Sequence, residues 1–587
     1  MAEVKNNNNN NLFQIIIIGG GISGLAAGDA LVKKGITNFK IWKRGIKLEA
    51  EWKHMKWVNT LFTFNTLINT FNTIFIIGFS EYFSRNLKLE MGANYIHGIL
   101  GNPMYELALN HGLIDITHTP KDHQVLAVME DGSQIPFLML QEVYEAYTCF
   151  LRRCEEYFLS QFLPPEGISN VGDHIKLEVA LYLDRINDNK EKHIKQLIFD
   201  SLLKRETCIT GCNDMNEVNL IELGSYIELQ GGNIVLPGGY SSVLQAVALD
   251  IPPENIVLNH CVTKINWISD KCKNECCQGT GYDSGIDLLA NGEVNNDSDS
   301  DEEKHNIEQI PLNNSNDSND DNDSKLQNLE IFDIEKELDV VEVICENGVK
   351  FYGSHVICTI PLGVLKEKSD TLFSPKLPQD KLDSIKKLSF GTVDKIFLEY
   401  SRPFLHDNVT EVMLLWDNEN VDENLETCWF KKIHAFSKVS DTLLLGWISG
   451  EEAKFMEKLP NQVVGEKCTE ILRKFLNDPY IPLPKTCTTS KWHSNEHFRG
   501  SYSSISVEAS HLDIEVIAKP LFSHLHKKKP ILLFAGEHTH HSFYSTVHGA
   551  YLTGKSAVEN ILKAEVENIT EEDSCSTNKN DDEKNDL

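Results

Sequence analysis

Residues 14–28 read Gln-Ile-Ile-Ile-Ile-Gly-Gly-Gly-Ile-Ser-Gly-Leu-Ala-Ala-Gly, and no other stretch constrains the fold as tightly. Four successive isoleucines, Ile15–Ile18, ask for burial on both faces, which is what the centre of a parallel sheet provides. Gly19, Gly21 and Gly24 follow with G-x-G-x-x-G spacing and lead into helix-forming Leu25, Ala26 and Ala27. Gly19 permits a tight turn, Gly21 lets the backbone approach a pyrophosphate, and Gly24 lets helix and strand pack closely. The helix that opens there offers free N–H groups and a partial positive charge to phosphates. Strand before and helix after supply the context that a bare glycine pattern lacks, so a dinucleotide-binding unit is expected.

The second strand of such a unit is predicted at Asn38–Trp42, and an acidic residue should close it to hold the adenosine ribose. Lys43 stands at that spacing instead, followed by Arg44, and the nearest acid is Glu49. Residues 57–79 are apolar but carry too many asparagines and threonines for a membrane span, and read as an irregular insertion.

The chain has 587 residues and a formal charge of −31, which argues against nucleic acid as a partner. The charge is concentrated: residues 293–330 and 565–587 together hold −17 of it, as a surface insert and a tail with no fold of their own. The N-terminus lacks the form of a signal peptide, and the final Asn-Asp-Leu is not a peroxisomal address. A cytoplasmic location with reduced cysteines follows as an expectation. Neither Cys208 with Cys212 nor Cys272 with Cys276 and Cys277 has the spacing of a zinc site, so no metal is expected.

Helices are expected at Gln141–Phe162, His174–Leu203, Ser241–Leu249, Lys381–Leu388 and Gln462–Phe475. Ile256–Leu258 and Val262–Trp267 read as a strand pair, and Val393–Tyr400 and Leu443–Ile448 as strands of an antiparallel sheet. Near the C-terminus a buried strand, Ile531–Phe534, runs through Gly536, Glu537, His538 and Thr539 into a helix opening near Thr546. A helix N-terminus there stabilises negative charge, such as a reduced flavin carries near N1 and O2.

Five ordered stretches resemble the flavin amine oxidase family, and within it polyamine oxidases of the spermine oxidase and N1-acetylpolyamine oxidase type. They are IIIIGGGISGLAA at 15–27, MGANYIHGILGNPMYELA at 91–108, TIPLGVLK at 359–366, GTVDKIFLEY at 391–400, and RGSYS with FAGEHTHHSFYSTVHGAYLTG at 499–503 and 534–554. The resemblance implies an α/β fold in which a Rossmann-like FAD-binding domain is interleaved with a substrate domain of mixed or antiparallel sheet plus helices. It implies an FAD domain at 12–115, 232–278, 328–390 and 488–565, and a substrate domain at 116–231 and 391–487. An acidic insert at 279–327 and tails at 1–11 and 566–587 complete the expected division.

The same resemblance assigns roles. Lys395 corresponds to the lysine that holds a water at flavin N5, and His97 to the active-site histidine of animal polyamine oxidases. Tyr502 and Thr546 flank the substrate face of the flavin, and Thr546 leaves room and a hydroxyl where monoamine oxidases carry a second tyrosine. Glu537 accepts from the cofactor's hydroxyls, Val262 contacts the adenine, Val547 reaches the pyrimidine ring, and Pro361 and Trp492 pack against the cofactor. With Gly19, Gly21, Gly24 and Glu49 these complete the implied FAD site. The absence of a cysteine between Gly536 and Gly554 implies non-covalent FAD.

The implied reaction is hydride transfer from a secondary amine of spermine or an acetylated polyamine to flavin N5. The imine then hydrolyses to an aldehyde and a shorter amine, and O2 is reduced to hydrogen peroxide. The partners expected are therefore a polyamine and O2, without nucleic acid or membrane, and the expected state is a monomer or weak dimer. The family's Gly-Gly-Arg pyrophosphate loop is missing between Glu49 and Leu89. A non-catalytic polyamine-binding module of the same fold is therefore the competing expectation.

Overall fold

A computed structural model describes residues 12–43, 89–114, 124–267, 340–417 and 424–582, with side chains to residue 567. Glu49, the 57–79 stretch, the acidic insert and Cys272, Cys276 and Cys277 lie outside the described residues.

The isoleucine run becomes β1 (Leu12–Ile18), with Ile15, Ile16 and Ile17 fully buried. It lies inside a nine-stranded sheet, between β2 (Phe39–Lys43) and β9 (Lys350–Cys358), both parallel to it. Beyond β2 the edge strand is β6 (Ile256–Leu258), also parallel. The length of β9 lets it serve two neighbours on its other edge. Its first half pairs antiparallel with β8 (Val341–Cys345), and its second half parallel with β19 (Pro530–Phe534). β7 (Val262–Asn266) and β10 (Phe373–Ser374) extend the sheet from β8, while β18 (Leu521–Phe522) flanks β19.

The expected pair Ile256–Leu258 and Val262–Trp267 is thus corrected. The two strands follow one another in sequence yet lie towards opposite edges, because β2 offers one a parallel partner and β8 offers the other an antiparallel one. Asn259, in the left-handed region at φ 62°, turns the chain between them.

The first helix, Ile22–Lys33, returns over β1, and the glycine spacing acts as expected. A Cβ on Gly24 would stand 2.0 Å from the Gly19 carbonyl oxygen, so helix and strand touch backbone to backbone. The same device joins the chain's ends. A Cβ on Gly554, in the helix Val547–Asp582, would stand 2.0 Å from the Ser23 carbonyl oxygen. One apolar core fills the face under these two helices and Tyr240–Ala248, and another fills the opposite face under helices Leu362–Leu372, Gln379–Lys387 and His511–Ala518.

A second sheet of six strands runs in the order β16 (Thr486–Thr489), β12 (Val393–Glu399), β15 (Leu443–Ser449), β14 (Ala435–Ser440), β13 (Val409–Leu415) and β4 (Gln124–Met129). Its pairs are antiparallel except β13 with β4. Helices Phe137–Ser160, Val171–Leu183 and Asn189–Thr210 cover one face. The helix Asn461–Phe475 packs on the other. The expected continuous helix 174–203 is corrected to two. The first ends at Leu183, and Asp188 starts the second by accepting from the Lys190 N–H at 2.8 Å, a cap that breaks the run. Two small ladders remain: β3 (Tyr95–His97) with β5 (Asn233–Val235), and β11 (Ser389–Gly391) with β17 (Tyr502–Ser504).

Candidate active site

Both sheets open onto one cavity of about 2040 Å³. Of the residues singled out in the sequence, Gly19, Gly21, His97, Val262, Pro361, Lys395, Trp492, Tyr502, Glu537, Thr546 and Val547 all line it. Gly24 does not line it and serves the helix contact.

One end of the cavity is a dinucleotide cradle. Gly19, Gly20 and Gly21 form its floor, and the first helix opens at Ile22. Ser23, in the first helical turn, lines the cavity with a hydroxyl that is buried and has no hydrogen-bond partner among the described residues. A buried hydroxyl at a helix N-terminus, beside N–H groups that the helix leaves unsatisfied, is a donor set for a phosphate oxygen. Lys43 reaches over this floor: a Cβ on Gly20 would stand 2.9 Å from the Lys43 Cδ. Burial pushes the Lys43 ammonium down to about 8.

On the same cavity Glu537 Oε2 collects the Ser503 hydroxyl at 2.6 Å and the N–H groups of Ser545 at 2.8 Å and Ser503 at 3.4 Å. Burial nevertheless raises its carboxyl above the usual range. The C-terminal helix begins beside it at Val547. Thr546 caps that helix: its Oγ1 accepts the Gly549 N–H at 3.0 Å and donates to the Phe543 carbonyl at 2.6 Å. Its hydroxyl is therefore engaged in the cap, and what Thr546 gives the cavity is space. Tyr502 packs against Gly211, where a Cβ would be 2.5 Å from the ring, and its hydroxyl donates to the Cys208 carbonyl.

Lys395 is 2% exposed, and its ammonium donates to the Glu90 carbonyl at 2.7 Å, the Gly92 carbonyl and Asn94 Oδ1 at 2.7 Å. It also stands 4.8 Å from the ring centre of Trp447, its partner across the strand pair. All three ammonium hydrogens are thus directed at the chain, binding residues 90–94 to the second sheet. Burial pushes this group down to about 7, with the charge of Glu90 acting upward.

His97 and Asn233 are opposite one another on β3 and β5, with Nδ1 3.0 Å from Oδ1. A carbonyl oxygen only accepts, so the proton sits on Nδ1 and Nε2 keeps its lone pair. Enclosure lowers the imidazole's affinity for a second proton. Sequence reasoning missed the carboxylates on this side. Glu155, Glu206 and Glu228 line the cavity from two helices and a loop, with Arg205 beside Glu206. Burial pushes Glu206 up to about 7, Arg205 opposing and Glu155 adding to the effect. Burial and the charge of Glu228 raise Glu155 likewise. No motif carries these residues, and only folding brings them together.

A nucleotide cradle, a second helix N-terminus with a buried carboxylate beside it, and a buried lysine, all on one cavity, define a flavin-dependent amine oxidase. The donor set fits FAD, with one departure: Lys43 occupies the strand end from which an acid would hold the ribose. The chain belongs to the flavin-containing amine oxidoreductase family, whose profile matches residues 78–285 and 328–562. Human peroxisomal N(1)-acetyl-spermine/spermidine oxidase is 28% identical over 495 residues, covering 81% of this chain and 85% of that protein. A probable polyamine oxidase 5 of Arabidopsis thaliana is 25% identical over 83% of this chain and 90% of its own. A possible lysine-specific histone demethylase 1 of Drosophila melanogaster is 31% identical over a shorter region, 39% of this chain and 27% of its own. The protein is an FAD-dependent amine oxidase enzyme. Among the described residues no helix is long and apolar enough to cross a membrane.

Proposed function

We propose that this enzyme oxidises a secondary amine of a polyamine, spermine or an N1-acetylated polyamine, to an imine that hydrolyses to an aldehyde and a shorter amine, with O2 as electron acceptor. The observation that carries the reading is the carboxylate group Glu155, Glu206 and Glu228 in the same cavity as His97 and Lys395. A polyamine carries several ammonium groups, and three carboxylates clustered under mutual repulsion gain most from taking up cations. The names of the relatives support the same substrate class.

When bound, FAD supplies the two-electron oxidation and passes the electrons to O2. The chain supplies position and charge. The carboxylates take the distal ammonium groups, and His97 Nε2 accepts the N–H of the amine that is to react, which positions it. Tyr502 walls the substrate face, and Thr546 keeps the opposite wall low. Lys395 anchors residues 90–94 and places its charge on the cavity wall. Ser23 and the glycine floor take the pyrophosphate, Glu537 the cofactor's hydroxyls, and Val262, Pro361, Trp492 and Val547 its rings. The domain division given above belongs to the same reading, corrected at its end, where the C-terminal helix runs on to Asp582 instead of giving way to a tail at residue 566; so do non-covalent FAD and a cytoplasmic location.

Steady-state peroxide formation from spermine, N1-acetylspermine, spermidine and an aromatic monoamine tests it. Preference for a polyamine by kcat/KM is expected, and preference for the monoamine would overturn it. The binding-module alternative is not supported: the chain matches an amine oxidoreductase family over residues 78–285 and 328–562, and Gly19–Ser23 keep the turn and helix opening of a phosphate cradle.

A further inference from the structure

Two buried carboxyl groups outside the substrate route meet behind the cavity wall. Asp394, on β12 next to Lys395, is fully buried, and Glu457, at the end of the helix Gly450–Met456, is 5% exposed. Asp394 Oδ1 accepts the Ser490 hydroxyl at 2.7 Å and the Trp492 N–H at 3.3 Å. Glu457 Oε1 accepts the His493 N–H at 2.8 Å, and Oε2 the Ser494 N–H at 2.7 Å. Asp394 Oδ2 is buried without a donor from any described residue. The two carboxyls accept from successive N–H groups of one turn, Trp492 on Asp394 and His493 and Ser494 on Glu457, which brings them together, and the charge of Glu457 bears on Asp394.

Two carboxylates in contact inside a protein do not both ionise, because desolvation and repulsion each penalise the second charge. Glu457 has two backbone N–H donors to support a charge. Asp394 Oδ2 has none, and a proton there converts an orphaned acceptor into a donor aimed at Glu457. Burial and the charge of Glu457 both hold the Asp394 carboxyl well above the usual range.

The pair secures a turn. Trp492, His493 and Ser494 all hang on it by their N–H groups, and Ser490 Oγ in addition accepts the Lys395 N–H at 2.8 Å. Trp492 in turn donates from Nε1 to the Met91 carbonyl at 3.3 Å and packs edge-on against Phe498, with ring centres 5.0 Å apart. Met91, Lys395, Trp492 and Phe498 all line the cavity. We propose that Asp394 and Glu457 are positioning residues that share a single proton, and that this proton fixes the 490–494 turn and with it Trp492 and Lys395 on the cavity wall.

Glu457 is the ionisable side chain whose charge bears on Asp394. On the outer side, His493 is surrounded by Lys454 and Glu451 from the Gly450–Met456 helix and by Arg499, and burial holds its imidazole towards the neutral form. Loss of the shared proton as pH rises leaves two carboxylates on one turn and releases it. The proposal deepens the amine-oxidase reading, since the residues positioned belong to its cavity.

The test follows the FAD-loaded enzyme and its variants from neutral to alkaline pH by visible circular dichroism of the flavin. Near-ultraviolet circular dichroism, referenced to Trp492→Phe, reads the turn even in a preparation without flavin colour. Such a colourless preparation would count against the cofactor reading, while the near-ultraviolet arm still decides the pair. In the parent both signals change reversibly on the alkaline side. In Asp394→Asn the amide N–H replaces the proton permanently while Oδ1 keeps its donors, so the neutral spectrum persists and the alkaline change disappears. Asp394→Ala and Glu457→Gln alter the spectrum at every pH and lower kcat/KM for spermine at least about tenfold. An Asp394→Asn variant that resembles Asp394→Ala at neutral pH, or that keeps the alkaline change, would overturn the proposal.

Discussion

Asn233 fixes the proton of His97: across the β3–β5 ladder its Oδ1 stands 3.0 Å from Nδ1, which leaves Nε2 as the acceptor. Neither residue is placed by a helix, and the pairing depends on the register of two three-residue strands.

Removing that partner is therefore expected to affect His97 before it affects the fold. Asn233→Leu frees both tautomers and lowers kcat/KM for a polyamine about tenfold, and His97→Ala lowers it about a hundredfold. The Asn233 hydrogen bond raises the imidazole pKa while enclosure lowers it, so its loss moves the acid limb of the kcat/KM profile further down in pH. A limb that moved upward would contradict the assignment.

Lys395 is expected to govern the reaction with oxygen. Its ammonium is pushed down to about 7, so the charged form is present below that value and lost as pH rises through it. The rate of the oxygen-dependent half-reaction should fall across that window in the parent. Lys395→Met should be slower by about a hundredfold and flat with pH, since a fixed charge beside the reacting centre contributes on that order. Stopped-flow reoxidation of the reduced enzyme measures both.

Glu206 gives the opposite slope. Its carboxyl, raised to about 7, is neutral below that value and charged above it, so attraction for a polycation grows as pH rises through about 7. KM for spermine should fall over that range. Glu206→Gln should remove the dependence and raise KM about tenfold on the alkaline side, about 1.4 kcal/mol of binding. Initial rates at varied spermine concentration and pH decide it.

What the sequence revealed and concealed follows from how local each signal is. The β1–glycine–helix unit, the strands β12 and β15 and the opening of the C-terminal helix rest on contiguous patterns, and all were legible. Lys395 and His97 were placed by short motifs, and both line the cavity. Partner choice between strands was not legible: β6 and β7 are neighbours in sequence, yet they answer to β2 and β8. The break at Asp188 was missed because a single capping carboxylate outweighs an apolar pattern that continues across it. Glu155, Glu206 and Glu228 could not be joined from sequence, since they share a cavity and no spacing. The engagement of Thr546 in its helix cap and of Lys395 with the 90–94 carbonyls likewise depends on geometry that residue type does not specify.

Lys43 yields the most direct test of the cofactor site. It ends β2, where the fold places the side chain that meets the adenosine ribose, and it lies over the glycine floor at Gly20. An ammonium cannot accept the ribose hydroxyls, so Lys43 does not make the hydrogen bonds that a carboxylate at this strand end would make. Lys43→Glu should restore them and tighten FAD binding about tenfold, about 1.4 kcal/mol. Lys43→Ala separates the two effects, since it removes the cation without adding an acceptor and should gain much less. Equilibrium dialysis of FAD against the apoprotein measures all three. Weaker binding by Lys43→Glu than by Lys43→Ala would mean that the ammonium serves the pyrophosphate, and that the chain has exchanged a ribose contact for a phosphate contact.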